Sequence, residues 1–223
     1  MTESRALALT VGAATVSALW TEAAEMQAAL VLAHGAGAGM RHPFLETVAA
    51  RLATRGVATL RFQFPYMEAG RRRPDPPTVA VRAVVTAVEA ASALARSVPV
   101  FAGGKSFGGR MTSRAAADGL LDVARGLVFL GFPLHAPGME SRSRAEHLSD
   151  VPMPMLFVQG TRDRLANLDL MRQVVHALGS GAHLHVVEDG DHGFVVPKRM
   201  GRNPTDVLDD IAANVQDWIR KVG

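Results

Sequence analysis

A serine framed as Gly104-Lys105-Ser106-Phe107-Gly108 is the first point in this chain where residue types and spacing together allow covalent chemistry. It follows the apolar run 98–102, which reads as a strand, and precedes 106–118, which reads as a helix stopped by Gly119. G-x-S-x-G in a strand–turn–helix context marks a sharp turn that holds the serine hydroxyl out at a sheet edge. Glycines on either side leave room for the crowded strand and helix. The pentapeptide alone fits a tight glycine turn with an incidental serine equally well, so its meaning depends on partners elsewhere.

Two partners stand in the order such a serine needs. A hydroxyl becomes a useful nucleophile when a base takes its proton and a third group orients that base. The run 155–159 ends in Gly160-Thr161-Arg162-Asp163, and the run 183–187 ends in Glu188-Asp189-Gly190-Asp191-His192-Gly193. Asp163 and His192 therefore each follow a strand end, in the chain order serine, acid, histidine. Each taken singly is an ordinary loop residue. Together with Ser106 they are expected to form a triad, with Asp163 preferred to Asp189 and Asp191, which lie too close along the chain to grip the ring of His192.

A developing oxyanion needs backbone donors. His34-Gly35-Ala36-Gly37-Ala38-Gly39 follows the strand 28–33, and the N–H groups of Ala36 and Phe107 are the expected pair. His34 is expected to buttress this loop. Gly37, Tyr66, Met67 and Lys105 are the expected pocket residues. For Lys105 two uses are open: holding an anionic substrate, or packing its stem along the surface.

Spacing removes two nucleotide-binding readings. A phosphate loop ending at Gly104-Lys105-Ser106 requires glycine at 99, where Pro99 stands. A dinucleotide fingerprint starting at Gly35 requires glycine at 40, where Met40 stands. His183 and His185 share one strand face, but with no third ligand at suitable spacing they read as structural, so no metal and no cofactor is expected.

The elements that must position these residues alternate. Runs 28–33, 57–62, 98–102, 126–130, 155–159 and 183–187 are short and apolar; 43–55, 78–97, 106–118, 168–178 and 205–222 carry helical spacing. That order implies a mostly parallel sheet of seven to eight strands, covered on both faces by helices. Runs 6–11 and 14–20 read as a pair of edge strands. Residues 132–151, about 20 in number, leave room for a short helix at 140–148 and no substantial lid. Residues 64–77 are expected to form a second wall of the site.

Composition sets the outer bounds. The chain has 223 residues, is 48% hydrophobic and has no cysteine, which excludes disulfides, thiolate catalysis and cysteine-bound metals. One domain spanning 1–223 is expected. Residues 1–5 with the run 6–11 make a poor secretory signal, and apolar runs elsewhere look strand-length, so a cytoplasmic protein without membrane association is expected. Net charge is +3, and Arg71-Arg72-Arg73 is the one basic run; without interleaved aromatics it reads as a solvated loop, and no nucleic-acid partner is expected.

These residues resemble the α/β-hydrolase superfamily across nearly the whole chain. More narrowly they are similar to the short dienelactone-hydrolase-like group related to the hydrolase-like domains of NSL-complex subunit 3 and testis-expressed protein 30. The resemblance is carried by His34–Ala38, by Phe64-Pro65-Tyr66-Met67-Glu68 running into Arg71–Pro76, by Gly104–Gly109, and by Gly160–Asp163 with Asp191-His192. It implies an eight-stranded three-layer α/β-hydrolase fold with a Ser106–His192–Asp163 triad and supplies no substrate; a small-molecule acyl substrate is expected from the triad chemistry. The dienelactone hydrolases proper use a cysteine nucleophile, which this chain lacks. The expected activity is hydrolysis of an ester, thioester or related acyl bond. The alternative is a binding or scaffold protein that kept the fold without catalysis.

Overall fold

The computed structural model describes residues 4–223, so the part of the N-terminal signal reading that falls on residues 1–3 lies outside the described residues. Eight strands form one sheet: β1 (Ser4–Val11), β2 (Ala14–Thr21), β3 (Ala28–Ala33), β4 (Val57–Phe62), β5 (Val100–Lys105), β6 (Ala124–Leu130), β7 (Met155–Gly160) and β8 (Ala182–Val187). Their spatial order is β1-β2-β4-β3-β5-β6-β7-β8. The β1–β2 and β2–β4 pairs are antiparallel, and every other pair is parallel.

Six helices flank the sheet: α1 (Pro43–Ala53), the single turn α2 (Pro65–Glu68), α3 (Pro77–Ala95), α4 (Phe107–Ala117), α5 (Leu168–Leu178) and α6 (Pro204–Val222). Strand alternation assigns them to layers. In β3, Ala29, Val31 and Ala33 join the core beneath α3, α4 and α5, while Ala28, Leu30 and Leu32 join the core beneath α1 and α6. Every residue of β3 is buried because both faces are covered, which is why the strand reads as an unbroken apolar run. On the second face, Trp218 of α6 meets Phe101 of β5 edge-on with ring centroids 5.8 Å apart. Each such fully buried large side chain contributes roughly 1.5–3 kcal/mol.

The expectation that apolar runs are no longer than strands fails at α3. By length and composition alone this helix is long and apolar enough to cross a membrane. Here Ala80, Ala83, Val84, Ala87, Val88 and Ala91 pack against the sheet. A short 3-10 helix, Ser143–Asp150, occupies the place where a helix at 140–148 was predicted, and no other element stands between β6 and β7.

The connections fix where chemistry can occur. From β3 the chain moves to β4 on one side, and from β5 it moves to β6 on the other. β3 and β5 are nevertheless neighbours, with Ala33 opposite Gly104. The loops leaving these two strands therefore emerge side by side at a topological switch point, where sites form in open α/β sheets. β7 and β8 likewise end level, with Gly160 opposite Val187.

Candidate active site

β5 runs three residues further than its apolar pattern suggests, through Gly103 and Gly104 to Lys105. Ser106 follows at φ 52° and ψ −112°, a left-handed conformation that costs a non-glycine residue about 1–3 kcal/mol. The chain then enters α4 at once, so Ser106 stands at the positive end of that helix. The turn requires glycine on both sides because the backbone of β3 lies against it: a Cβ on Gly104 would fall 2.3 Å from the Ala33 carbonyl oxygen, and one on Gly108 would fall 2.4 Å from it.

The loop after β8 carries His192 across the ends of β7 and β6 to reach this serine. His192 Nε2 lies 2.9 Å from Ser106 Oγ, and Nδ1 lies 2.6 Å from Asp163 Oδ2. The crossing passes over Gly131, at the end of β6, where a Cβ would come within 3.5 Å of the imidazole. The Asp163 carboxylate is buried and accepts three hydrogen bonds. Oδ2 accepts from His192 Nδ1 and from Gln159 Nε2 at 2.6 Å, and Oδ1 accepts from the Leu165 amide at 2.8 Å. With Nδ1 donating to Asp163, Nε2 is free to receive the Ser106 proton.

Among the described residues neither rival acid bonds the His192 ring. Asp191 Oδ1 accepts from the Gly193 and Val195 amides, each at 2.8 Å, and so shapes the loop without touching the ring. Asp189 has φ 55°, and its amide donates to Thr161 Oγ1. Gln159 was not foreseen; the signal for it was an amide side chain in an otherwise apolar strand, where it is fully buried. A second serine–histidine pair, Ser113 Oγ and His147 Nε2 at 2.8 Å, lacks this arrangement. Ser113 is buried within α4 and its hydroxyl already donates to the Arg110 carbonyl, and among the described residues no carboxylate bonds the other nitrogen of His147.

The loop after β3 stands against Ser106, since a Cβ on Gly35 would lie 3.8 Å from Ser106 Cβ. Among the described residues neither the Ala36 nor the Phe107 amide donates to a protein acceptor; Phe107 follows Ser106 in the chain, and Ala36 lines the same cleft as Ser106. The next amide, Gly37 N–H, donates to Tyr66 Oη at 3.1 Å and holds the loop from behind. His34 braces the same loop. Its Nδ1–H donates to the Gly35 carbonyl at 2.7 Å, and its Nε2 accepts from the Phe64 amide at 3.1 Å.

Burial of His34 removes water from the charged form and lowers its pKa from 6.5 to about 4. The folded protein thus resists protonating a group that the unfolded chain protonates readily. Stability from this group is complete above pH 6.5 and is lost as pH falls towards 4, on the order of 3 kcal/mol in all. His147 and His185 are also lowered by burial and add to the slope. The difference between wild type and His34→Asn isolates the effect: urea denaturation at pH 7 and pH 4.5 is expected to show a shallower loss of stability in the variant. Parallel losses in both would sink this assignment.

Beside Ser106 opens a cleft of about 400 Å³. Its apolar wall is formed by Phe44, Leu45 and Leu165, with Ala36, Ala38, Lys105 and His42 around the serine. This corrects the expected pocket. Lys105 lines the cleft; Gly37, Tyr66 and Met67 do not. Nor does the segment 64–77 form a wall. Tyr66 is wholly buried, its amide donates to Asp75 Oδ2 at 2.7 Å, and Arg71 pairs with the same carboxylate at 2.6 Å. Met67 packs towards Gly39 instead. Among the described residues no group of three or more histidine, aspartate or glutamate side chains is placed to hold a metal ion.

Comparison with known proteins agrees with this fold. A family model described as an alpha/beta hydrolase domain matches residues 26–220. A dienelactone hydrolase from Anabaena variabilis superposes with a TM-score of 0.76 at 19% identity, over 99% of this chain and 98% of that one. A serine hydrolase from Xanthomonas campestris, described as lacking a lid, gives 0.76 at 21% identity over 99% and 95%. An alpha-beta serine hydrolase homologue from Coxiella burnetii gives 0.75 at 18% identity over 100% and 99%.

Proposed function

The chain belongs to the α/β-hydrolase domain family, and from that premise we propose that it is a serine hydrolase cleaving a carboxylic ester, thioester or related acyl bond. The observation that carries the proposal is the unbroken chain from Ser106 Oγ through both nitrogens of His192 to Asp163, at 2.9 and 2.6 Å. His192 takes the Ser106 proton as Oγ attacks the acyl carbon. The carbonyl π electrons move onto oxygen, and the resulting oxyanion sits against the Ala36 and Phe107 amides, each donor being worth about 10²–10³ in rate. Asp163 stabilises the imidazolium. His192 then protonates the leaving alkoxide or thiolate, and the acyl group stays on Ser106 until water, activated by the same histidine, releases the acid.

The cleft supports an uncharged acyl or aryl group in the acyl position. Phe44, Leu45 and Leu165 present carbon to it, and its volume of about 400 Å³ suits a small ligand. Turnover of p-nitrophenyl esters and matching thioesters of increasing chain length tests the reading. Saturable hydrolysis favouring the shorter chains, reduced to the blank rate in Ser106→Ala, is expected. Equal hydrolysis by wild type and Ser106→Ala would overturn it.

A further inference from the structure

We propose that Lys105 is a positioning residue of this site, tying the loop that carries His192 to the strand that carries Ser106. The inference rests on the serine-hydrolase reading above. Lys105 is the last residue of β5 and adjoins the nucleophile. Its side chain turns across the end of β6, where a Cβ on Gly131 would lie 2.8 Å from Nζ. There Nζ donates to the His192 backbone carbonyl at 2.5 Å and stands 5.3 Å from the centroid of the Phe194 ring. A cation over an aromatic face and a charge-assisted bond to a carbonyl both hold the same short stretch of loop.

That stretch needs a tether. His192 sits in an irregular connection after β8 and must reach over two strand ends to meet Ser106. Asp163 fixes the rotation of the ring, and Asp191 folds the loop on itself through the Gly193 and Val195 amides. Among the described residues, Lys105 is the side chain that bonds the His192 backbone to the nucleophile's own strand.

The alternative use, an anchor for an anionic substrate, fits less well. The ammonium is already engaged on the protein, and the nearby charges of Asp163 and Asp191 favour it as a cation. Burial nevertheless lowers its pKa from 10.5 to about 8, so the charged form is maintained at neutral pH against a desolvation penalty. A methionine of similar length would fill the space without that penalty but would donate nothing. Arginine is no substitute, because its planar fork does not fit a point donor wedged against Gly131.

The test uses the full chain, p-nitrophenyl butyrate and its carboxylate-bearing hemisuccinate counterpart, with fluorophosphonate labelling measured first. Lys105→Met is expected to lower kcat roughly 10- to 100-fold with KM within about twofold for both esters, because a shift of the base by an ångström has that effect. The chain has no cysteine, so in Lys105→Cys 2-bromoethylamine meets a single thiol and forms one S–C bond with loss of bromide. The product carries an ammonium at lysine length, and recovery of most of kcat is expected; iodoacetamide on the same thiol is expected to restore none. Three results would overturn the inference: unchanged kcat in Lys105→Met, a loss confined to KM for the hemisuccinate, or no recovery on aminoethylation of a variant with the wild-type thermal midpoint. Wild type that resists the fluorophosphonate would refute the serine-hydrolase reading itself and this inference with it, and is seen before any Lys105 variant is assayed.

Discussion

Replacing His192 with alanine is expected to lower kcat towards a chromogenic ester by about 10⁶, as far as replacing Ser106 does, because the two act as one unit. Without Nε2 at 2.9 Å, the Ser106 proton has no acceptor as Oγ attacks. Asp163→Asn is expected to cost about 10⁴ while leaving the fold intact. The reason lies in the three bonds to that carboxylate, all donated to it. Gln159 and His192 donate to Oδ2, and the Leu165 amide donates to Oδ1. An asparagine must point its NH₂ at one of these donors. Facing Leu165, it sets two N–H groups against each other. Facing His192, it forces the proton onto Nε2, the tautomer that cannot accept from serine. Gln159 can turn its buried, unpartnered Oε1 to such an NH₂, which makes the second outcome the easier one. Single-turnover and steady-state assays of variants with wild-type thermal midpoints check both magnitudes; an Asp163→Asn enzyme within tenfold of wild type would contradict them.

The second large effect is steric. Gly108→Ala is expected to destabilise the protein by about 3 kcal/mol or more, at the upper end of what overpacking does. The new Cβ would lie 2.4 Å from the Ala33 oxygen, 2.6 Å from the Ala33 carbonyl carbon and 2.7 Å from the His34 oxygen. All three are backbone atoms, so no flexible side chain can yield. Relief requires α4 and the end of β3 to separate, which also pulls the Phe107 amide away from Ala36. Gly181→Ala, where a Cβ meets nothing within 4 Å, serves as the control and is expected within about 0.5 kcal/mol of wild type. Urea denaturation measures both. A Gly108→Ala protein as stable as the control would show that the elbow has slack it is not expected to have.

Most of the architecture was legible because strands buried on both faces must be apolar throughout. β3 announces itself in that way, as do β4 and β7 apart from buried Thr59, Arg61 and Gln159, and 168–178 reads as a helix to the residue. The end of β5 was not legible in the same way. Gly103, Gly104 and Lys105 look like loop, yet they continue the ladder opposite Val128, Phe129 and Leu130. Glycine is needed there because Val128 and Ala33 leave no space for a side chain, a constraint set by neighbouring strands and invisible in local propensity. The edge pair β1–β2 was legible from two apolar runs around Gly12, which adopts φ 62° in the turn.

The triad positions were legible from chain order and strand ends, whereas the cleft was not. Tyr66 looked like a wall residue because it sits among prolines and arginines. In the fold the turn α2 sends it into the core, where its hydroxyl supports Gly37. Phe44, Leu45 and Leu165 line the cleft, but their spacing is that of ordinary helix-start and loop residues. Which side chains converge on a cavity depends on how far each loop travels after its strand, and periodicity carries no information about that. The same holds for Lys105, whose partner is a backbone carbonyl 87 residues away in sequence.

Every step proposed for this site requires Ser106 to be the activated nucleophile. Reaction of the intact protein with a fluorophosphonate, followed by peptide mass mapping, reads this out at the residue itself. One adduct is expected, on Ser106, failing to form in Ser106→Ala and forming far more slowly in His192→Ala. No adduct under conditions that label a known serine hydrolase, or an adduct on Ser113 beside His147, would contradict it.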